Sequence, residues 1–493
     1  MRKIHIATIL SVGLVAPAHA DNWMNRLPDE LFAAAVSIPG THDSATGNGF
    51  SGFLGLLGGS SYAKTQDLTI AEQWAAGVRA FDFRPCVDGD ELRINHGVIA
   101  TSVTLQTALT TLRDSLAANP SEFAVVHLRH ETEGDGSDSS YGTLLTALLG
   151  SDDFSGLFAD FSRDLTVGEL RGKILLTSRD TYATSPVGAF ISGWCSNVDW
   201  ASQTKGTLTG AGSGTEASSP LYMQDFYDTH ADGAVEEKVE AVTKLLTYSA
   251  THAMRQSSAI RWYYNFTSGY SKTGSIFGTE VSTSDGYRDN ASYTNAAVIS
   301  YLQSNEAGPA GIVMMDYAGV NTSSGYNTLG QALIDTLIAN NFNYLARVNA
   351  EQYATFCASI ATLSERLASA KALIASDYSD VAADFDARVA AIASSLDSLQ
   401  ADLDERYENA LLLETSRLST TAIYTAISAL TEDAAAAQAE YDRTVPVSAV
   451  TIAADAKVSG IYSLEGEQLS APPVGSICIL RYSDGAVRKV KVE

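Results

Sequence analysis

The stretch SIPGTHDSATG, residues 37–47, decides how this chain is read. A short apolar run, Val36-Ser37-Ile38, meets Pro39-Gly40, and His42 and Asp43 come at once. Pro-Gly ends regular structure, so the pattern is a buried strand that stops on a tight turn carrying an acid–base pair. Working outward, comparable apolar runs recur up to about residue 349. The set is Ala34–Ile38, Val78–Phe83, Leu92–Asn95, Ala124–Leu128, Ile174–Thr177, Leu221–Gln224, Ile260–Phe266 and Ile312–Met315. Helical patterns fill most of the intervals. Repeated βα units imply a parallel sheet, and eight in a region of this length fit a closed (β/α)8 barrel of the TIM type. The long polar stretch 267–295 reads as a place where a loop replaces a helix.

Active sites of such barrels are built at the C-terminal strand ends, so the residues just past each run are the test. The first run gives His42 and Asp43, the second (RAFDFRP) Asp82 and Arg84, the third (LRINHG) His96. The fourth (VVHLRHE) gives Arg129 and Glu131, the fifth (ILLTSRD) Arg179, the sixth (LYMQDFY) Asp225 and Tyr227, the last (GIVMMDY) Asp316 and Tyr317. One strand-end histidine is more often a packed core residue than a catalyst, but here seven strand ends agree. Two histidines, one as base and one as acid, suit in-line phosphoryl transfer. An arginine between them stabilises phosphate charge. Each histidine needs a carboxylate to fix its tautomer, and Asp43, Asp82 and Asp316 are the candidates. Arg129, Arg179, Asp225 and Tyr227 complement a polyhydroxylated ring. The His and Asp residues also suit a hard cation, but Arg84 stands where a cation would neutralise phosphate, so no metal or cofactor is expected.

SIPGTHDS, RAFDFR, NHG, NPSEFAVVHLRHE, GKILLTSR, QDFY, YYNFTSG and IVMMDY occur in an order that resembles bacterial phosphatidylinositol-specific phospholipase C over roughly residues 30–345. The resemblance implies a distorted, incompletely closed (β/α)8 barrel. It also implies a lyase that releases diacylglycerol and forms inositol 1,2-cyclic phosphate. On the matching positions, His42 looks like the general base with Asp316 as its partner, and His96 like the general acid with Asp43 as its partner. Arg84 looks like the phosphate-activating residue of the metal-independent branch. Arg129, Arg179, Asp225 and Tyr227 resemble the inositol-binding set, with arginine at 129 where the family often has lysine. Fork geometry differs from a point charge there. Two alternatives are a metal-dependent glycerophosphodiester phosphodiesterase-like hydrolase, whose His-Arg-Gly and Glu-Asn signatures are absent, and a non-catalytic surface protein that binds inositol lipid.

A substrate held in a bilayer needs a docking surface. GNGFSGFLGLLGG, residues 47–59, lies just beyond the catalytic turn without a charge, and Phe50, Phe53, Leu54, Leu56 and Leu57 read as a short interfacial insertion. The expected partner is phosphatidylinositol or glycosylphosphatidylinositol in a membrane surface. Nucleic acid is not expected, because the 493-residue chain carries a net charge of -25.

The N-terminus, MRKIHIATILSVGLVAPAHA, has a basic start at Arg2 and Lys3, an apolar stretch and a small-residue site at Ala18-His19-Ala20. It reads as a signal peptide cut after Ala20, making the protein secreted or cell-surface. A barrel at 21–349 comes next. Segment 350–445 has almost no glycine or proline. Phe356, Ile360, Leu363 and Leu367, then Val389, Ile392, Leu396, Leu399, Leu403 and Tyr407, recur at steps of three and four, predicting a coiled-coil hairpin able to bind a partner. Segment 446–493 reads as a small β domain whose end resembles the C-terminal sorting domains of secreted Bacteroidetes proteins. Of four cysteines, Cys86 and Cys195 are the expected pair if one forms.

Overall fold

The computed structural model describes residues 20–198, 200, 205–252, 260–276, 278–408, 418–444, 457–471 and 474–491. The expected signal peptide, but for Ala20, lies outside them. The chain divides into two compact units that meet in sequence at Ala350 and Glu351.

The first unit is a closed barrel, of nine strands among the described residues, where the resemblance implied an incompletely closed one of eight. Its strands in chain order are β1 (Ile38–Thr41), β2 (Ala80–Phe83), β3 (Ala124–Leu128), β4 (Ile174–Ser178), β5 (Ala189–Ser192), β6 (Lys205–Gly210), β7 (Ser218–Gln224), β8 (Trp262–Phe266) and β9 (Ile312–Met315). Around the barrel they run β1-β9-β8-β7-β6-β5-β4-β3-β2 and back to β1. All pairings are parallel except those of β6, which is antiparallel to both β5 and β7. β1, β2, β3, β4, β8 and β9 are buried along their whole length, as expected for strands packed between a filled interior and outer helices.

The TIM-type barrel is therefore observed, with three corrections to the strands. The first strand is Ile38–Thr41 and not Ala34–Ile38, because Ala33–Ala35 turns in a short 3-10 helix. Leu92–Asn95 is not a barrel strand. It belongs to a separate antiparallel sheet of Pro85–Asp88, Glu91–His96 and Ile99–Thr104. Leu92 and Ile94 are buried while Glu91 and Arg93 are not, the one-sided alternation of an antiparallel strand. β5 and β6 were not anticipated, being short and, in the second case, built from Gly and Thr. Nor is 267–295 a loop: a hairpin (Thr273–Ile276 with Thr279–Ser282) leads into a helix, Ser284–Ser304. That helix buries Ser284, Asn290, Thr294 and Asn295. Asn290 donates to the Thr267 carbonyl at 3.0 Å and Asn295 to that of Thr328 at 2.9 Å. Its inward face interleaves these hydrogen-bonded polar residues with Tyr287, Ala291 and Val298, which dilutes the apolar period.

In the second unit, Glu351–Asp377 is the continuation of the helix Gly330–Asp377, and Ala382–Glu408 and Thr421–Thr444 are helices. Phe356, Ile360, Leu363, Leu367, Ile392, Leu396 and Leu403 are buried together with Ile423, Ile427 and Leu430. Val458–Tyr462, Ile477–Tyr482 and Val487–Lys491 form an antiparallel sheet. All four cysteines are free, so Cys86 and Cys195 are not joined.

Candidate active site

The stretch 37–47 shows in three dimensions why Pro-Gly precedes the acid–base pair. A Cβ at Gly40 would lie 2.6 Å from Met314 Sδ and 3.0 Å from Ala80 Cβ, so only glycine lets β1 nest between β9 and β2. The chain then turns through Asp43, whose φ of 43° is left-handed. Aspartate tolerates that region better than most side chains. Gln66 Nε2 fixes the turn by donating to the His42 carbonyl at 2.9 Å and the Met315 carbonyl at 2.8 Å.

The turn delivers His42 between two carboxylates. Nδ1 lies 2.8 Å from Asp316 Oδ1, at the end of β9, and Nε2 lies 3.1 Å from Asp43 Oδ2. Arg84, just past β2, places Nε 3.1 Å from Asp43 Oδ1 and Nη2 3.0 Å from Asp82 Oδ2. His96 arrives from outside the barrel, at the end of Glu91–His96. Its Nδ1 donates to the Ala63 carbonyl at 2.8 Å and lies 3.5 Å from Asp43 Oδ2. The two imidazole centroids are 6.2 Å apart. Thus His42, Asp43, Asp82, Arg84, His96 and Asp316 form one connected cluster.

Burial disfavours charge on His42, but Asp43 and Asp316 outweigh it and raise its pKa to about 10. Burial also dominates at His96, where His42 and Arg84 add to it, and its pKa falls. Arg84 and both histidines hold Asp43 well below the usual carboxylate range in spite of burial. The site therefore keeps one proton on His42 and leaves His96 neutral. Asp43, in contact with both rings, is the electrostatic link between them.

Further round the mouth, Arg179 Nη2 donates to Ser196 Oγ at 3.1 Å, and its guanidinium lies over the Trp194 ring at 4.4 Å. Trp194 Nε1 donates to Asp225 Oδ2 at 2.8 Å, and Arg179 Nη1 is 3.9 Å from the same oxygen. Arg129 leans on Glu131 at 3.9 Å and Glu133 at 3.5 Å. Burial lowers Arg179 to a pKa of about 10; Asp225 opposes this, while Arg84 and Arg129 add their repulsion. The guanidinium groups of Arg84, Arg129 and Arg179 thus repel one another at the mouth. Tyr227 is half-exposed, its ring centroid 6.4 Å from that of Tyr270.

Four neighbours of these residues escaped the sequence reading. Trp194 lies just past the unrecognised β5. Tyr287 lies in the stretch read as a loop and places its hydroxyl 3.1 Å from His96 Nε2. Glu133 flanks Arg129. His127, on β3, faces the barrel interior, where burial lowers its pKa to about 3 and keeps it neutral.

Among the described residues, His42, Asp43 and Asp82 are spaced closely enough to share a cation. Arg84 already lies on both carboxylates and His42 on one of them. A divalent ion would have to displace or face that guanidinium, so the donor set does not fit a resident metal.

The apolar stretch beyond the turn is a helix, Gly52–Tyr62. Phe53, Leu56 and Leu57 are 74%, 80% and 68% exposed, and Leu54 is 38% exposed. Phe50 does not share this face. It lies under the helix, where a Cβ on Gly59 would come within 2.3 Å of its ring.

Fold and site together define a TIM-type barrel with two histidines on one aspartate and an arginine-lined mouth. No family model matches the chain. Among curated proteins, it is 28% identical over 349 residues to the 1-phosphatidylinositol phosphodiesterase of Staphylococcus aureus (strain NCTC 8325 / PS 47), covering 68% of this chain and 97% of that protein. A protein of the same name from Listeria monocytogenes serovar 1/2a is 32% identical over 159 residues, covering 32% of this chain and 48% of that one. A solved Staphylococcus aureus phosphatidylinositol-specific phospholipase C, described for modulation of its membrane binding, is 25% identical with a TM-score of 0.50, covering 64% of this chain and 97% of that chain. The chain is thus a homologue of bacterial phosphatidylinositol phosphodiesterases, as the strand-end motifs imply.

Proposed function

We propose that this protein is a phosphatidylinositol diacylglycerol-lyase whose catalytic part is the barrel of residues 21–349. The observation that carries the reading is the pair His42 and His96, 6.2 Å apart on either side of Asp43, with Arg84 on the same carboxylate. In this reading His42 Nε2 takes the proton of the inositol 2-hydroxyl, and Asp316 on Nδ1 steadies the imidazolium that forms. The hydroxyl attacks the adjacent phosphorus intramolecularly, which is where proximity contributes. Arg84 stabilises the charge on the phosphoryl oxygens, with Asp82 orienting its fork. His96 gives a proton to the departing diacylglycerol oxygen. The products are inositol 1,2-cyclic phosphate and diacylglycerol.

Without substrate, the proton sits on the wrong histidine for this step. Catalysis needs His42 neutral and His96 charged, the same proton count differently placed, so the pH profile belongs to the coupled pair and not to either residue. Arg129, Arg179, Asp225 and Tyr227 take the inositol ring. Phe53, Leu54, Leu56 and Leu57 enter the membrane surface. The leader-like N-terminus supports export, and the helical segment is an arm for a partner.

The test is phosphorus NMR on phosphatidylinositol in detergent micelles, with and without EDTA. A cyclic phosphate signal that survives EDTA is expected. Loss of the signal in EDTA would remove Arg84 from the place of the metal. Absence of turnover in both conditions would favour a binding protein.

A further inference from the structure

We propose that Tyr287 is a positioning residue for His96, a role that rests on the reading of His96 as the general acid. Tyr287 sits on the first turn of Ser284–Ser304, is 4% exposed, and reaches the acid from outside the barrel. The hydrogen-bond directions are set by the partners. The Ala63 carbonyl only accepts, so His96 Nδ1 carries a proton toward it. A neutral His96 then has only a lone pair on Nε2, and the Tyr287 hydroxyl at 3.1 Å must donate to it. Ser282 Oγ, 2.6 Å from the Tyr287 oxygen, supplies the next proton in the chain. Burial pushes the Tyr287 phenol well above its ordinary range, so it remains a donor.

His96 is thus clamped at both nitrogens by elements outside the barrel. Ala63 caps the exposed apolar helix Gly52–Tyr62. Tyr287 belongs to the helix that comes after the Thr273–Ser282 hairpin. The charged and titratable groups facing the ring are Asp43, His42 and Arg84 from the barrel and Tyr287 from its helix. The Tyr287 hydroxyl fixes the ring through Nε2 in the free enzyme and yields that place to the leaving oxygen when substrate binds. By bonding the neutral form it also keeps His96 a stronger acid once protonated.

Tyr287→Phe removes only the hydroxyl. Two substrates separate positioning from folding: phosphatidylinositol, whose alkoxide needs a proton to leave, and the p-nitrophenyl ester of inositol phosphate, whose phenolate does not. The alkyl ester should lose about tenfold more kcat than the aryl ester, a part of what a general acid supplies. His96 has the lower pKa of the pair and sets the acid limb of kcat/KM, which should move up by roughly half to one pH unit, the scale of one neutral hydrogen bond. Ser282→Ala, which leaves Tyr287 in place, should give a smaller loss with the same selectivity. Equal losses on the two esters, or no loss on either, would overturn the assignment. His96→Ala should itself penalise the alkyl ester far more than the aryl ester. If it penalises both alike, His96 is not the acid and both readings fall. If His96→Ala discriminates and Tyr287→Phe does not, only the role of Tyr287 falls.

Discussion

Replacing Phe53 and Leu56 by serine tests whether the apolar helix docks the barrel on its substrate. Both side chains project from Gly52–Tyr62, 74% and 80% exposed, so the folded protein gains little from them in water. Burying a whole Leu or Phe side chain contributes about 1.5–3 kcal/mol. With roughly three quarters of each available to a membrane, the pair is worth about 2–4 kcal/mol of membrane binding. At about 1.4 kcal/mol per decade, the double variant should bind vesicles roughly 30- to 1000-fold more weakly. The assay is sedimentation with phosphatidylinositol–phosphatidylcholine vesicles, run beside hydrolysis of a water-soluble inositol phosphate ester. The soluble ester should be turned over normally and the melting temperature should hold. Residues 47–59 carry no charge and the chain is net -25, so added salt should not release the wild-type protein. Equal loss on vesicles and soluble ester, or unchanged vesicle binding, would refute the reasoning.

Asp316→Asn removes a buried charge 2.8 Å from His42 Nδ1, and kcat/KM should fall roughly 10- to 200-fold, the range of a charge-assisted hydrogen bond. Because Asp316 raises the His42 pKa, the higher of the pair, which sets the descending limb of the pH profile, that limb should move to lower pH at the same time; an unmoved limb would separate Asp316 from the base. Burial, reinforced by a hydrogen bond to Glu133, raises Glu131 to a pKa of about 8, so the folded state holds this proton more tightly than the unfolded one. Its contribution is therefore lost as pH rises from about 4.3 to about 8, and thermal scans of Glu131→Gln should fall less steeply over that window than wild type. An identical slope in the two proteins would place the raised proton elsewhere.

The sequence by itself determined the barrel and most of its mouth. Most strands buried on both faces are continuous apolar runs (β1, Ile-Pro-Gly-Thr, is the exception), and a segment ending in His-Asp, Asp-Phe-Arg or Asp-Tyr marks a C-terminal end without any knowledge of neighbours. Those signals are local, which is why His42, Asp82, Arg84, Arg129, Arg179, Asp225 and Asp316 were all legible. His96 is legible only for a wrong structural reason, as the end of a barrel strand. Its alternation of buried Leu92 and Ile94 with Glu91 and Arg93 belongs to an antiparallel excursion that folds back over the mouth.

Tertiary structure alone decided the rest, because those features depend on pairs distant in the chain. β6 exists because Lys205–Gly210 finds β5 and β7 on either side, not because its own residues favour a strand. The helix Ser284–Ser304 is buried partly through asparagine and threonine, whose hydrogen-bond partners no periodicity shows. Phe50 looks equivalent to Phe53 in the chain until the glycines of the next helix close over it. Which histidine holds the proton depends on charges brought from positions 43, 84 and 316 to within a few ångströms in a buried pocket, where the carboxylates prevail over burial at His42 and burial prevails at His96. Residue types along the chain supplied the candidates; only their convergence in low-dielectric space set their protonation.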